Sequence, residues 1–351
     1  MCWEDKLTVW YEADHRDLPW RRTSDPYKIW VSEIMLQQTR VEAVIGYYLR
    51  FMEHYPTVEA LAAAPIDDVL KDWEGLGYYS RARNLHKAAG QIVEMGSFPG
   101  TYEGIRALSG IGDYTAGAIW SIAYNQPAAA VDGNVLRVIS RLCALDGDIM
   151  EEKNRRAIAG IVLAHVPEGQ ANTYTQSLME LGAMVCIPKS PHCENCPLRE
   201  ECQAYAQGRT SQLPVKKQKE KQKVIFRYIG IAERRNPRTG NREVLMHRRP
   251  PKGLLQGLWE YPGVETDNMA AGFAEVFGLD VEVKGHLLDC EHVFTHRHWK
   301  MQVYEIKLNV DVPESEEWCW ASVDKQAQLM IPTAFRRIQD YLAEPEQLRL
   351  V

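Results

Sequence analysis

Residues 108–112 read Leu-Ser-Gly-Ile-Gly and precede an apolar segment at 116–124, and this stretch decides the fold of the first half of the chain. It predicts two helices joined by a tight turn, because glycine adopts backbone conformations that other residues avoid. Such a turn presents backbone N–H groups near Gly110 and Gly112 to a phosphate, whose charge the dipole of the next helix favours. Gly-x-Gly is also common as a plain turn between helices, so the motif alone leaves both interpretations open.

The segments around this turn repeat apolar residues at helical spacing and are separated by Gly and Pro. One helix is predicted to open at Asp25-Pro26, which place an N-cap before a proline at the first helical position, and to run through Gln38. Further helices are predicted near 58–71, 80–95, 115–124, 133–143, 153–165 and 172–185. The first half is therefore predicted to be all-α.

The composition changes after residue 205. Residues 206–223 predict a linker, and its basic run is better explained as a solvated segment than as a DNA-binding arm; the run consists of Lys216, Lys217, Lys219, Lys221 and Lys223. Beyond it, strands are predicted at 224–233, 242–248, near 281–290 and near 299–309, with helices near 267–277 and 332–343. The second domain, 224–351, is thus predicted to be α+β.

The bulk composition limits the class of protein. The 351 residues are 45% hydrophobic and 25% charged, which suits a globular chain of about two domains. The net charge of -6 argues mildly against a nucleic-acid partner, but the charge is uneven and does not decide the question. The acidic start of the chain has no long apolar run, so we expect no signal peptide, no membrane helix and a cytoplasmic location.

Two carboxylates have contrasting predicted surroundings. Helical spacing puts Glu33 on the apolar face of Ile29, Trp30 and Leu36, where a raised pKa would suit a general acid; an arginine partner distant in sequence is the alternative. Asp132 precedes a helix, whose N-terminus keeps a carboxylate ionised, although capping is the commonest job of such an Asp. An acid and an anionic stabiliser are the pair expected for chemistry at a sugar.

Four of the eight cysteines lie within seventeen residues, at Cys186, Cys193, Cys196 and Cys202. In a cytoplasmic chain this cluster indicates metal or iron–sulfur ligation and not disulfides. Zinc sites usually present two close Cys pairs and only one is present here, whereas four thiolates also suit a [4Fe–4S] cluster; the spacing alone does not choose. A second group is better explained as scattered strand residues than as a metal site: Cys290, His292, His296 and His298.

In this order and spacing, the motifs resemble the helix-hairpin-helix glycosylases of the endonuclease III superfamily, and more closely the MutY-type adenine glycosylases. The resemblance covers residues 5–205 and rests also on Leu18-Pro19-Trp20 and on residues 30–39 and 75–85. It implies a six-helix barrel over about 22–130, an iron–sulfur module from 1–21 and 131–205, and a [4Fe–4S] cluster on the four cysteines.

The resemblance also implies catalytic roles. Glu33 would protonate adenine N7 and then assist the attacking water, and Asp132 would stabilise the sugar cation electrostatically or through a transient adduct. Tyr114 and Asn134 would position these groups. Bifunctional relatives carry a lysine nucleophile where this chain has Tyr114, so base removal without efficient strand cleavage is implied.

Other residues match positions that bind the base or the DNA. The pocket for the extruded adenine is implied for Trp20, Arg21, Leu36 and Gln176, because the chemistry needs the base out of the stack. Gln38 and Tyr78 match residues that wedge into the stack. The remaining implied DNA contacts are Thr39, Gly110, Gly112 and Lys189.

The second domain resembles the MutT-like domain of the same family, on residues 248–251 and 253–263. Residues 264–279 lack the run of Glu that a Nudix hydrolase needs for magnesium, so binding without hydrolysis is implied. The family reads oxidised guanine with Phe-Ser-His, and Phe294, Thr295 and His296 stand at this place.

The implied partner is double-stranded DNA that carries adenine opposite 8-oxoguanine or guanine, bound by a monomeric, prokaryotic-type chain associated with the nucleoid; protein partners stay unknown. One rival is a glycosylase of other mismatch specificity, such as thymine opposite guanine. A second is a non-catalytic iron–sulfur DNA-binding module, and a third, a nucleotide-pool hydrolase, is disfavoured by the missing acidic run.

Overall fold

The computed structural model describes residues 2–217 and 222–344. It divides into two compact units, one of Met1–Asp72 with Ser80–Gln218 and one of Trp73–Tyr79 with Lys219–Val351. Lys219 and Lys221 of the predicted basic run lie outside the described residues. None of the helices in the described ranges is long and apolar enough to cross a membrane.

The described part of the first unit is helical, which confirms the all-α prediction. Its helices are α1 Trp3–Ala13, α2 Pro26–Leu36, α3 Val41–His54, α4 Val58–Ala63, α5 Ile66–Asp72, α6 Ser80–Met95, α7 Tyr102–Arg106, α8 Asp113–Tyr124, α9 Gly133–Leu142, α10 Glu152–Ala164, α11 Ala171–Met184 and α12 Gln203–Ala206. Short 3-10 turns occur at Pro19–Arg21 and Cys193–Asn195.

Local sequence explains where α2 begins and ends. Asp25 accepts a hydrogen bond of 2.9 Å from the Tyr27 amide, and Pro26 occupies the first helical position, as predicted. The helix ends at Leu36 and does not reach Gln38, because Gln38 has a left-handed φ of 57°. The end of α2 was therefore predicted two residues too late.

Two other predictions about the first unit need correction. The single helix predicted near 58–71 is two helices, α4 and α5, because Pro65 disfavours a helical conformation at Ala64. The predicted linker is also partly anchored. Leu213 is 2% exposed, and its carbonyl accepts a hydrogen bond of 2.9 Å from Arg141 Nε. The apolar side chain of Leu213 is therefore buried in the first unit, although the surrounding segment is polar.

The glycine turn joins α7 to α8, as predicted. Gly110 has a φ of 77°, and a Cβ there would lie 2.6 Å from the Cβ of Asn84 on α6, so the turn needs glycine for both conformation and space. Gly112 has an extended backbone and is the N-cap residue of α8.

The second unit contains a mixed seven-stranded sheet, which confirms the α+β prediction. Its strands are β1 Lys223–Arg235, β2 Arg242–Arg248, β3 Trp259–Glu260, β4 Gly263–Val264, β5 Val281–Val293, β6 Arg297–Leu308 and β7 Trp318–Ala321, with helices α13 Met269–Phe277, α14 Val323–Gln328 and α15 Arg336–Ala343. The main order is β3-β2-β1-β6-β5; β4 pairs with β1 and β7 with β2.

Both faces of this sheet are covered. β1 and β6 run parallel with Ile229 opposite Val303, and these residues share an apolar core with Phe335 and Ile338. A separate core contains Phe273 of α13. β1 has a run of four consecutive buried residues, from Ile229 to Ala232, as expected for a strand covered on both faces, whereas β6 alternates buried and more exposed residues.

Candidate active site

A cavity of about 480 Å³ lies in the first unit. It is large enough for a small organic ligand or a nucleobase. Of the residues predicted from the sequence, ten line it: Trp20, Arg21, Glu33, Leu36, Gln38, Thr39, Tyr114, Asp132, Asn134 and Gln176. Residues more than 150 positions apart in the chain thus meet at one place.

Glu33 lies in the wall of this cavity and is 5% exposed. Tyr114 of α8 donates a hydrogen bond of 2.7 Å to Glu33 Oε2. Burial raises the pKa of Glu33 to about 7 and outweighs the lowering by the Tyr114 hydroxyl; nearby Asp132 raises it further, and Arg21 lowers it. Glu33 therefore exchanges its proton near neutral pH, which is the property of a general acid.

Asp132 caps α9, and both of its oxygens accept hydrogen bonds. Val135 N donates to Oδ1 at 2.7 Å, and Asn134 Nδ2 donates to Oδ2 at 2.9 Å. The sequence predicted that the helix N-terminus keeps Asp132 ionised, and burial acts against this effect. Burial raises the pKa of Asp132, and the hydrogen bonds from Val135 and Asn134 oppose that rise. The two carboxylates differ because Asp132 accepts backbone hydrogen bonds and Glu33 has a single tyrosine donor.

Arg137 connects Asn134 to the cysteine segment, and the sequence analysis missed it. Its NH2 group donates to Asn134 Oδ1 at 2.9 Å and to the Gly182 carbonyl at 2.7 Å, and its Nε donates to the Cys186 carbonyl at 2.7 Å. α11 can approach this closely because a Cβ on Gly182 would lie 2.5 Å from Asn134 Cβ. Arg137 and Arg141, one turn apart on the polar face of α9, were the available signal.

A second missed group lies beside the cavity. Glu180 of α11 is 1% exposed and accepts hydrogen bonds from Arg16 Nε at 2.9 Å and from Arg21 NH2 at 2.7 Å. The two guanidinium groups outweigh burial and hold the pKa of Glu180 at about 2. An acidic residue between Met179 and Leu181 on a helix was the only sequence signal.

Arg81 of α6 caps the C-terminus of α2 and was also missed. Its NH1 group donates to the carbonyls of Ile34, Met35 and Gln37 at 2.8, 3.0 and 2.5 Å, and NH2 donates to Thr39 Oγ1 at 3.3 Å. The last carbonyls of a helix have no partner within it. One buried guanidinium therefore fixes the end of the helix that carries Glu33.

The other pocket residues have structural contacts. Trp20 is buried and packs edge-on against Tyr48 at a centroid distance of 5.4 Å. Gln176 Nε2 donates to Asn172 Oδ1 at 2.7 Å. Predicted residues that do not line the cavity are Tyr78, Gly110, Gly112, Lys189, Phe294, Thr295 and His296, with the cysteine group.

The four cysteines line a second, smaller cavity of the first unit. Arg141 NH1 lies 3.4 Å from Cys186 Sγ, and burial raises the pKa of Cys196 to about 12. Within residues 2–217 and 222–344, no group of three or more His, Cys, Asp or Glu could hold a metal ion. The four thiols thus line one cavity, and their chemistry suits an iron–sulfur cluster as well as a zinc ion.

In the second unit, Thr295 lies in the turn between β5 and β6. Its Oγ1 is 2.5 Å from Tyr78 Oη, a hydrogen bond in which either hydroxyl can donate. Phe294 packs edge-on against Trp299 at 4.9 Å. Two residues that the sequence linked separately to DNA recognition are thereby in direct contact.

Comparisons with known proteins agree with this architecture. The model of the HhH-GPD superfamily of base excision DNA repair proteins matches residues 31–162, and the NUDIX domain model matches residues 238–341. The adenine DNA glycosylase of Rattus norvegicus is 34% identical over 95% of this chain and 76% of its own length. That of Homo sapiens is 33% identical over 88% and 67%.

A solved thermostable thymine-DNA glycosylase is 31% identical, with a TM-score of 0.54 over 58% of this chain and 95% of its own. An endonuclease III–DNA complex shares the fold, with 23% identity and a TM-score of 0.50 over 58% of this chain and 94% of its own. The chain belongs to the adenine DNA glycosylase family, with a helix-hairpin-helix repair unit followed by a NUDIX domain.

Proposed function

We propose that this adenine DNA glycosylase hydrolyses the N-glycosidic bond of adenine paired with 8-oxoguanine or guanine. The observation that carries the proposal is the meeting of Glu33, Tyr114 and Asp132 in one cavity of about 480 Å³. A carboxylic acid and a second, hydrogen-bonded carboxylate are the groups that glycoside chemistry requires.

Glu33 is the general acid in this proposal. Its pKa of about 7 leaves a large protonated fraction at neutral pH, and protonation of adenine N7 makes the base a better leaving group. The carboxylate that remains then assists the attacking water. Asp132, held by Val135 and Asn134, stabilises the positive charge that develops on the sugar.

The extruded adenine is bound by the other residues of the cavity, Trp20, Arg21, Leu36 and Gln176. Tyr114 stands where a lyase would carry a lysine, and its hydroxyl is occupied by Glu33. Without an amine, no Schiff base forms on the sugar. The enzyme therefore removes the base and leaves the strand intact.

We assign the DNA contacts by position. Gln38, Thr39 and Tyr78 fill the space that the extruded adenine leaves in the base stack. Gly110, Gly112 and Lys189 contact phosphates. The pair of Tyr78 and Thr295 reads the oxidised guanine, with Phe294 and His296 beside it. α13 has Glu275 as its single acidic residue, which supports binding without hydrolysis in the second unit.

Cys186, Cys193, Cys196 and Cys202 would hold a [4Fe–4S] cluster through their thiolates. When bound, the cluster supplies a covalent cross-link between distant parts of the segment that follows α11. Arg137 and Arg141 of α9 donate to the carbonyl and sulfur of Cys186, so this segment is tied to the helix that Asp132 caps.

A second candidate function, thymine removal opposite guanine, draws support from the 31% identity to a thymine-DNA glycosylase. Purified protein incubated with A·8-oxoguanine, A·G and T·G duplexes and then treated with hot alkali separates the two. Alkali-dependent cleavage at adenine that Asp132→Asn abolishes supports the proposal. Cleavage at thymine alone supports the second candidate, and no release from any duplex contradicts both.

A further inference from the structure

The buried carboxylate of Glu180 has all of its hydrogen-bonding capacity engaged. Oε1 accepts from the Arg16 backbone amide at 3.0 Å and from Arg16 Nε at 2.9 Å, and Oε2 accepts from Arg16 NH2 at 2.6 Å and Arg21 NH2 at 2.7 Å. Arg21 NH1 also donates to the Arg16 carbonyl at 3.0 Å. One carboxylate thus orders two guanidinium groups at the wall of the base cavity.

Arg21 and Glu33 line the same cavity, yet no hydrogen bond joins them among the described residues. The Arg21 side chain is 8% exposed, so water does little to screen its charge. In a buried setting, a nearby guanidinium normally forms an ion pair with a carboxylate and keeps it ionised. Glu180 supplies a competing carboxylate.

We propose that Glu180 is a positioning residue for base excision, which binds Arg21 so that Arg21 lines the cavity without forming an ion pair with Glu33. The inference rests on the proposed role of Glu33 as general acid. Loss of the Glu180 charge would leave Arg21 and Arg16 without their counter-ion. Arg21 would then favour an ionised Glu33 and reduce the fraction of enzyme that can protonate adenine.

The other groups around Glu33 do not replace Glu180. Among the described residues, the groups that act on the Glu33 carboxyl are Tyr114 of α8, Asp132 at the N-cap of α9 and Arg21 of the 3-10 turn. Arg81 of α6 binds the end of the same helix, and Tyr48 and Tyr55 face it at Tyr27. No hydrogen bond or ion pair joins Tyr114 or Asp132 to Arg21 within the described residues, and Arg81 is engaged by backbone carbonyls. Glu42 of α3 is exposed. Glu180 is therefore the carboxylate that engages Arg21.

The test is the pH dependence of Glu180→Gln in the full chain. The rate of single-turnover adenine release from an A·8-oxoguanine duplex falls at alkaline pH, and in the variant this fall, the alkaline limb, should begin about one pH unit lower than in the wild type. At a fixed alkaline pH, the variant should therefore be about tenfold slower. The infrared band of the protonated Glu33 carboxyl, identified by its absence in Glu33→Gln, should titrate at lower pH by the same amount in protein without DNA.

An unchanged limb and an unchanged infrared titration, with a rate that is lower at every pH, would overturn the proposal. If Glu180→Gln does not fold, Glu180→Asp takes its place, because a shorter carboxylate keeps the charge and loosens the contact; a smaller shift in the same direction is expected, and no shift overturns the proposal. In an Arg21→Met background, Glu180→Gln should add no further shift.

Glu152→Gln is the matched control, since it removes the same charge from an exposed pair with Arg156 at 3.0 Å and should shift neither titration. Failure of the proposed function has a separate signature. If the wild-type protein releases no adenine, the proposed function is contradicted. The infrared titration of Glu33 in Glu180→Gln still tests whether Glu180 controls the pKa of Glu33.

Discussion

The Tyr114 hydroxyl donates a 2.7 Å hydrogen bond to the Glu33 carboxyl, across 81 residues of sequence. This contact holds the acid in place and also lowers its pKa against the stronger effect of burial. The pKa of about 7 is thus mainly a balance between the burial of Glu33 and one hydroxyl, and the hydroxyl can be removed without changing the other groups around Glu33.

Tyr114→Phe should raise the pKa of Glu33, because it removes the hydroxyl that stabilises the ionised form. The alkaline limb of adenine release should move to higher pH, even if the maximal rate falls through looser positioning. Tyr124→Phe removes a comparable hydroxyl that donates to the Pro99 carbonyl, and serves as the control. A limb that stays in place, or moves to lower pH, would contradict the assignment of Glu33.

Glu33→Gln should abolish adenine release and change how stability depends on pH. The folded protein holds the Glu33 proton more tightly than the unfolded chain, with a pKa of about 7 against an ordinary 4.5. The stability that this proton contributes is complete below the unfolded pKa and is lost as pH rises through the folded pKa. Because Gln stays neutral, the variant should gain up to about 3 kcal/mol over wild type at alkaline pH. Urea unfolding of both proteins at acidic and alkaline pH measures this difference. If the free energy of unfolding changes with pH by the same amount in both proteins, Glu33 is not buried in its protonated form.

Asp132→Asn should separate catalysis from capping. Asn can keep the capping bond from Val135 N through its amide oxygen, but its NH2 group then faces the donor Asn134 Nδ2. The free energy of unfolding should therefore fall by about 1–3 kcal/mol, which leaves the protein folded. The rate of adenine release should fall by about a hundredfold or more, because the negative charge that stabilises the sugar is gone. Thermal unfolding and single-turnover kinetics on the same sample check both parts. A stable variant with a wild-type rate would exclude Asp132 from the chemistry.

Arg81→Met should weaken the end of α2. It leaves the carbonyls of Ile34, Met35 and Gln37 without this donor, which costs about 1–3 kcal/mol for a buried polar group. Arg81→Lys should restore little, because an ammonium lacks the planar fork that spans several acceptors. Arg156→Met, at an exposed site, is the control in urea unfolding. Equal stability of both variants would show that the cap is dispensable.

Thr295→Val should reduce the preference for A·8-oxoguanine over A·G. The substitution keeps the shape of Thr295 and removes the hydroxyl that contacts Tyr78. Adenine release from A·G should change little, because the catalytic cavity lies in the first unit. Single-turnover rates on the two duplexes give the ratio. An unchanged ratio would place lesion recognition elsewhere.

Much of the architecture follows from local sequence. The caps Asp25 and Asp132, the glycine turn at 108–112 and the change from helical to alternating apolar spacing predict an all-α unit followed by an α+β domain. The errors were also local in origin. Pro65 divides one predicted helix, and the left-handed Gln38 ends α2 early. The contrast between a buried Glu33 and a capping Asp132 could be predicted from the sequence, because helical spacing shows that Glu33 lies on the apolar face of its helix.

The sequence by itself predicted two carboxylates in unlike surroundings and four clustered cysteines as the residues that bear the chemistry, and the family resemblance added a tyrosine in place of a lysine. Only the tertiary structure decided their partners. Arg21 meets Glu180 across 159 residues, Arg81 reaches the carbonyls of α2 across 44 to 47, and Arg137 reaches Cys186 across 49. Such contacts leave no periodicity in the chain, because a guanidinium reaches its acceptors through space and its spacing in sequence is free.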